Sequence, residues 1–118
     1  MKQIVVIIRP NLYFKTKQAL SDNRFFAMNT KEVIGRGKRA VQFTSGEGNL
    51  VADNVYNNTL IAKKMIEMIV RDEEVDEVIN VIMSVNHNNM NGDGKIFVLP
   101  VDDSIRIHTG EKGDDALM

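Results

Sequence analysis

The spacing of apolar and polar residues divides the chain into short segments with distinct periods. Ile4-Val5-Val6-Ile7-Ile8 is continuously apolar and β-branched, the pattern of a strand covered on both faces, and Arg9-Pro10 stops it. Pro10 fixes a dihedral suited to a helix start, and Leu12, Lys15-Thr16 and Ala19-Leu20 recur at helical intervals, which predicts a helix over 11–22. Phe25-Phe26-Ala27-Met28 resumes the apolar pattern and runs on to Glu32-Val33-Ile34 as a second strand over 25–34, broken by Gly35 and Gly37. From 35 to 62 Gly, Ser, Thr and Asn dominate and no period is sustained, so a long functional loop is expected there. Met65-Ile66-Glu67-Met68-Ile69-Val70 predicts a third strand. Val75, Val78, Ile79 and Ile82 then fall at i, i+3, i+4 and i+7 of a helix whose start carries Asp72, Glu73 and Glu74, where the helix dipole favours acids. An Asn-rich turn (Asn86, Asn88, Asn89, Asn91) leads to a strand over 95–99, and 105–108 reads as a short last strand.

Two βαβ units of similar length in so small a chain predict an α+β ferredoxin-like βαββαβ sandwich, with both helices on one face of an antiparallel sheet. The other face then needs a cover. Met65, Ile66 and the region of Phe97 are apolar enough that association through this face is expected.

Length and charge narrow the picture. The 118 residues make one domain, and 15 Lys+Arg against 16 Asp+Glu give no global field for nucleic acid or an anionic membrane. The absence of cysteine removes disulfides, thiolate catalysis and thiolate metal sites, and fits a reducing compartment. The run Ile4 to Ile8 is too short for a membrane span, so a cytoplasmic protein is expected.

The strongest chemical signal is Gly92-Asp93-Gly94-Lys95. Its glycines let backbone N–H groups approach an anion, and Lys95 adds a mobile positive charge, an arrangement suited to phosphate. Gly-Asp-Gly also occurs in ordinary turns. No Ser-His-Asp or Cys-His set accompanies it, neither His87 nor His108 has a partner in a known motif, and the Asn-rich turn lacks the closing glutamate of a calcium loop, so no enzyme is expected. Arg36-Gly37-Lys38-Arg39 is a basic cluster that leaves a ferredoxin-like RNA-binding module open, although paired exposed aromatics for base stacking are missing.

Gly92-Asp93-Gly94-Lys95-Ile96-Phe97-Val98, together with Arg106-Ile107-His108-Thr109-Gly110-Glu111, resembles the C-terminal signature of the PII nitrogen regulatory proteins. Ile7-Ile8-Arg9-Pro10, Ala19-Leu20, Met28, Glu32-Val33 and Gly35-Arg36-Gly37-Lys38 match at the family's spacing, so the likeness covers nearly the whole chain. The tail from Thr109 to Leu117 and the Ser84-Val85-Asn86 helix end are most similar to the branch encoded beside nitrogenase genes in methanogens and anaerobes.

The resemblance implies a single PII-like domain over 1–118 with a mobile T-loop at about 37–62, assembled as a trimer of one chain or mixed with a related subunit. It implies ATP or ADP in the clefts between subunits, 2-oxoglutarate beside the nucleotide, and a protein target, such as nitrogenase, gripped by the T-loop. By the same resemblance the backbone of Gly92, Asp93 and Gly94 with Lys95 holds the phosphates, and Arg106 and His108, two apart on one strand, reach a neighbouring subunit's nucleotide. His108 stands where the family usually has a second arginine, which makes that contact pH-dependent. Asn29, Gly35, Gly37, Lys38, Glu67 and Ile69 match the adenine and ribose side, while Lys63 and Arg9 match the 2-oxoglutarate pocket.

Three departures matter. Arg39 replaces the glutamine that helps ligate the Mg²⁺ bridging ATP and 2-oxoglutarate; a cation cannot ligate the metal, although it could pair with the oxoacid's carboxylate. Asn88-Asn89 replaces a threonine-glycine before the phosphate turn. Tyr56 lacks the surroundings of the family's uridylylated tyrosine. A trimeric adaptor that has lost its ligands therefore stays open beside the nucleotide-binding regulator.

Overall fold

The computed structural model describes residues 1–36, 43–44, 50–51 and 60–117. In chain order the elements are β1 (Lys2–Ile8), α1 (Tyr13–Asp22), β2 (Asn29–Gly35), the two-residue strands β3 (Phe43–Thr44) and β4 (Leu50–Val51), β5 (Ile61–Val70), α2 (Val75–Asn86) and β6 (Gly94–Pro100). The four long strands form an antiparallel sheet in the order β2-β5-β1-β6, and β3 pairs with β4 separately. With both helices on one face, this is the expected ferredoxin-like βαββαβ arrangement.

The strand period decides which residues enter the core. Ile4, Val6 and Ile8 of β1 and Ile66, Met68 and Val70 of β5 are buried against Leu20 of α1 and Val78 and Ile82 of α2. Each such side chain, fully buried, contributes about 1.5–3 kcal/mol to folding. Register carries the alternation across the sheet: Val5 stands opposite Glu67 and Phe97, and Ile7 opposite Met65 and Lys95, so these residues share the face without helices. That face is apolar along Val5, Ile7, Met65, Phe97 and Leu99. Ile66, expected there, is instead fully buried under the helices, because it lies one residue out of phase with Met65.

Three boundaries differ from the expected ones. The second strand begins at Asn29, not at 25. Arg24 takes a left-handed φ of 68°, its N–H donates to Ser21 O at 2.9 Å, and the Phe25 N–H donates to Leu20 O at 2.9 Å. This pair of bonds closes α1 and folds Phe25 back into the core, where an apolar residue is buried without being in a strand. The third strand begins at Ile61 rather than 65, because pairing with β2 from Gly35 to Asn29 overrides the polar character of Lys63-Lys64. Finally, 105–108 is no strand. Only Ile105 bridges, to Lys112, while the Arg106 N–H donates to Glu111 O (2.8 Å) and the Gly110 N–H to Arg106 O (2.7 Å), closing a tight turn over 106–110.

Most of the expected long loop, and with it Gly37, Lys38, Arg39 and Tyr56, lies outside the described residues. The helix starts agree with expectation. Pro10–Leu12 forms a 3-10 turn leading into α1, and the acids of Asp72–Glu74 precede α2, with the Glu74 carboxylate accepting the Arg71 N–H at 3.0 Å.

Candidate functional site

The segment between α2 and β6 is a turn held from several sides. Asn89 (φ 57°), Gly92 (φ 90°) and Gly94 (φ 120°) all occupy the left-handed half of backbone space within six residues. Asp93 organises it: Oδ2 accepts the N–H of Asn88 at 2.8 Å and of Met90 at 3.3 Å, and its own N–H donates to Met90 O at 3.3 Å. The Asn88 N–H is the main influence holding the Asp93 carboxyl below the usual carboxylate range. Burial opposes it, and the Met90 N–H, the Arg9 guanidinium and His87 add to the lowering.

Cations from the sheet grip the outer part of the turn. At the end of β1, Arg9 Nη2 donates to Asn91 O at 2.8 Å and lies 3.5 Å from Asp93 Oδ1. From β5, Lys63 Nζ donates to Gly92 O at 2.7 Å. Gly94 is required for a steric reason: a Cβ there would stand 1.9 Å from the Ile7 carbonyl oxygen. Lys95 follows it, exposed at the start of β6. Arg9 Nε is buried with no hydrogen-bond acceptor among the described residues, a donor beside Asp93 and Lys63 that a carboxylate or phosphate oxygen would satisfy. Six of the expected residues, Arg9, Lys63, Gly92, Asp93, Gly94 and Lys95, thus meet at one end of the sheet, where Gly35 also lies opposite Ile61.

Asn29, Glu67 and Ile69 form a second group further along β2 and β5, around a cleft of about 420 Å³. Gln3, Met28, Ala116 and Leu117 complete much of its lining. Asn29 and Glu67 are cross-strand partners, and Lys31 Nζ pairs with Glu67 Oε1 at 3.0 Å. Lys31, Ala116 and Leu117 were not expected. Lys31 is legible in retrospect, since it shares the parity of Asn29 on β2. The approach of the tail, however, depends on a turn that alternating residues at 105–108 disguised as a strand.

Arg106 ties down the tail whose end lines this cleft. Nη1 donates to Glu111 Oε1 at 3.3 Å and Nη2 to Asp115 O at 3.2 Å. Because 106–110 is a turn, the expectation that Arg106 and His108 project from one strand face does not hold; Arg106 is half-buried against the tail, and His108 is exposed. Gly37, Lys38 and Arg39 lie outside the described residues.

Lys63 and Glu67 are four residues apart on β5, a separation of about 13 Å along a strand. Between the basic turn and the cleft lies the apolar stretch of Val5, Ile7 and Met65. One chain therefore presents two half-sites rather than one pocket, a cationic turn and a mixed apolar and polar cleft.

Comparison with known proteins places this geometry. Residues 1–111 match the family model described as nitrogen regulatory protein P-II. The chain is 43% identical over 121 residues to the nitrogen fixation nifHD region GlnB-like protein 2 of Methanothermobacter marburgensis, covering 99% of this chain and 100% of that one. It is 41% identical over 125 residues to the nifHD1 region GlnB-like protein 2 of Methanosarcina barkeri, covering 99% of both. Among solved structures, Arabidopsis thaliana PII bound to citrate superimposes with a TM-score of 0.75 at 29% identity, covering 98% of this chain and 88% of that one.

Proposed function

The chain belongs to the nitrogen regulatory protein P-II family, and from that premise we propose that it senses adenine nucleotides, with ATP or ADP held between subunits of a trimer, and passes the state of that site to a protein target. The observation that carries this reading is the division of the site. A phosphate-suited turn and a base-suited cleft sit on the same sheet yet about 13 Å apart by strand geometry, and a second copy can bring one against the other.

The residues fit a nucleotide. Gly92 and Gly94 hold the turn at positive φ, while Lys95 and Arg106 supply the charge a polyphosphate needs. Met28 and Ile69 offer apolar surface to a purine, and Asn29 and Glu67 offer polar groups to its edges and the ribose. Among the described residues no group of three His, Cys, Asp or Glu is placed to hold a metal ion; a Mg²⁺ arriving with the nucleotide would meet the phosphate oxygens. Oδ2 of Asp93 is already engaged by the turn it stabilises, while Oδ1, buried without a hydrogen bond among the described residues, faces Arg9 Nη2 at 3.5 Å.

Arg9 and Lys63, with an unmatched buried donor at Arg9 Nε, suit a dicarboxylate such as 2-oxoglutarate beside the phosphates. Citrate, a related polycarboxylate, is bound to the Arabidopsis neighbour. The loop over about 37–62, within a single domain of 1–118, starts and ends at the strands that carry Gly35 and Lys63. Ligand occupancy would bias its conformation only through differential affinity for two states. The nifHD-region names of the relatives make a nitrogenase component the natural target, and the trimer would be of one chain or mixed with a related subunit. Among the described residues no helix is long and apolar enough to cross a membrane.

Calorimetric titration with ATP and ADP, and then with 2-oxoglutarate with and without Mg-ATP, tests this reading. Saturable nucleotide binding, reduced at least tenfold by Lys95→Gln, is expected, since a charge-assisted phosphate contact is worth about 1.5–3 kcal/mol. Absence of nucleotide binding would leave a ligand-free adaptor.

A further inference from the structure

The cleft beside Asn29 and Glu67 has a wall supplied by the end of the chain. Gly113–Leu117 forms a 3-10 turn that is pinned at Gly113 and at Asp115. The Gly113 N–H donates to Ser104 O at 2.9 Å, Ser104 Oγ donates to Gly113 O at 3.0 Å, and Arg106 Nη2 donates to Asp115 O at 3.2 Å. These ties set Ala116 and Leu117, both half-buried, against the cleft that also contains Met28 and Ile69.

We propose that Leu117, with Ala116, forms the apolar wall against which the purine ring of a bound adenine nucleotide packs, and that Arg106 links this wall to the phosphates. The inference rests on the nucleotide-binding reading above and adds to it a base-recognising element in the tail. A purine needs apolar contact on its faces and polar groups only at its edges. Leu117 supplies such a face, opposite residues of β2 and β5. Arg106 has five N–H donors in a rigid fork; one is committed to Asp115 O and one to Glu111 Oε1. The remainder can meet a phosphate while the tail stays tied, so a single side chain sets the distance between the polyphosphate and the wall.

The test uses the full chain with Leu117→Asp and Leu117→Met, titrated with ADP and with inorganic tripolyphosphate, which lacks a base. Leu117→Asp is expected to weaken ADP binding about tenfold, leave tripolyphosphate binding and the melting temperature of the ligand-free protein unchanged, and be rescued by Leu117→Met. If the unaltered chain binds ADP and Leu117→Asp binds it equally, the wall is refuted and the nucleotide reading stands. Tighter ADP binding by Leu117→Asp would refute it too, by showing that the tail occludes the cleft, and an equal loss for ADP and tripolyphosphate would show an effect that does not involve the base. Failure of the unaltered chain to bind ADP at all would overturn the nucleotide reading and the wall with it.

Discussion

At Gly94 a single methyl group would collide with backbone. A Cβ there meets Ile7 O at 1.9 Å, and φ of 120° is foreign to L side chains, so Gly94→Ala should lower the free energy of unfolding by about 2 kcal/mol or more, read from the urea midpoint. Asp93 makes a different prediction. Its folded pKa is lowered, so its contribution is present above the unfolded value of about 3.9 and is lost as pH falls through the lower folded value. The stability difference between the unaltered chain and Asp93→Asn should thus be largest near neutrality and shrink as acid protonates the folded-state carboxylate, below its ordinary titration range, and a difference that does not shrink in acid would contradict the role given to the carboxylate. The sequence of the turn announces an anion cradle, because glycines and a lysine state their chemistry openly. It does not reveal that Gly94 is needed to pass Ile7, or that the Asp93 carboxylate serves Asn88 and Met90, since both depend on which distant backbone lies alongside.

Among the elements, periodicity identified β1, α2 and β6 because each carries one dominant pattern over its length. It misplaced the start of β2, because Phe25 is apolar for the core while belonging to the close of α1. Phe25→Ala should cost about 3 kcal/mol, as a core residue and not an exposed loop residue, whereas Arg24→Gly, which relieves a left-handed φ of 68°, should raise stability by about 0.5 kcal/mol. Urea unfolding of both variants checks the pair. The segment 105–108 shows the opposite error. Alternation of Ile and basic residues imitates a strand, yet Gly110, at φ 76°, permits the turn that brings Arg106 to Glu111 and the tail to the cleft. Ile107, left 99% exposed by that turn, is an apolar side chain that none of the described residues covers.

At the scale of the whole molecule, the described residues leave the sheet face opposite the helices uncovered. Phe97 is 46% and Leu99 41% exposed, with Val5, Ile7 and Met65 beside them. Covering this face by other copies would also bring basic turns against base clefts. If the proposed trimer forms through this face, Phe97→Lys should reduce the sedimentation mass from trimer to monomer and abolish the proposed nucleotide binding with it. The most direct test of the shared site is complementation between two disabled chains, Lys95→Gln and Arg106→Gln, each inactive alone and then assembled together. If the site is built from the turn of one subunit and the cleft of another, mixed trimers regain high-affinity ATP binding at about one quarter of the sites, the fraction of random neighbour pairs in a cyclic trimer that join the two intact halves. If both halves serve the same chain, no mixture contains an intact site, and the absence of any recovery would contradict the account.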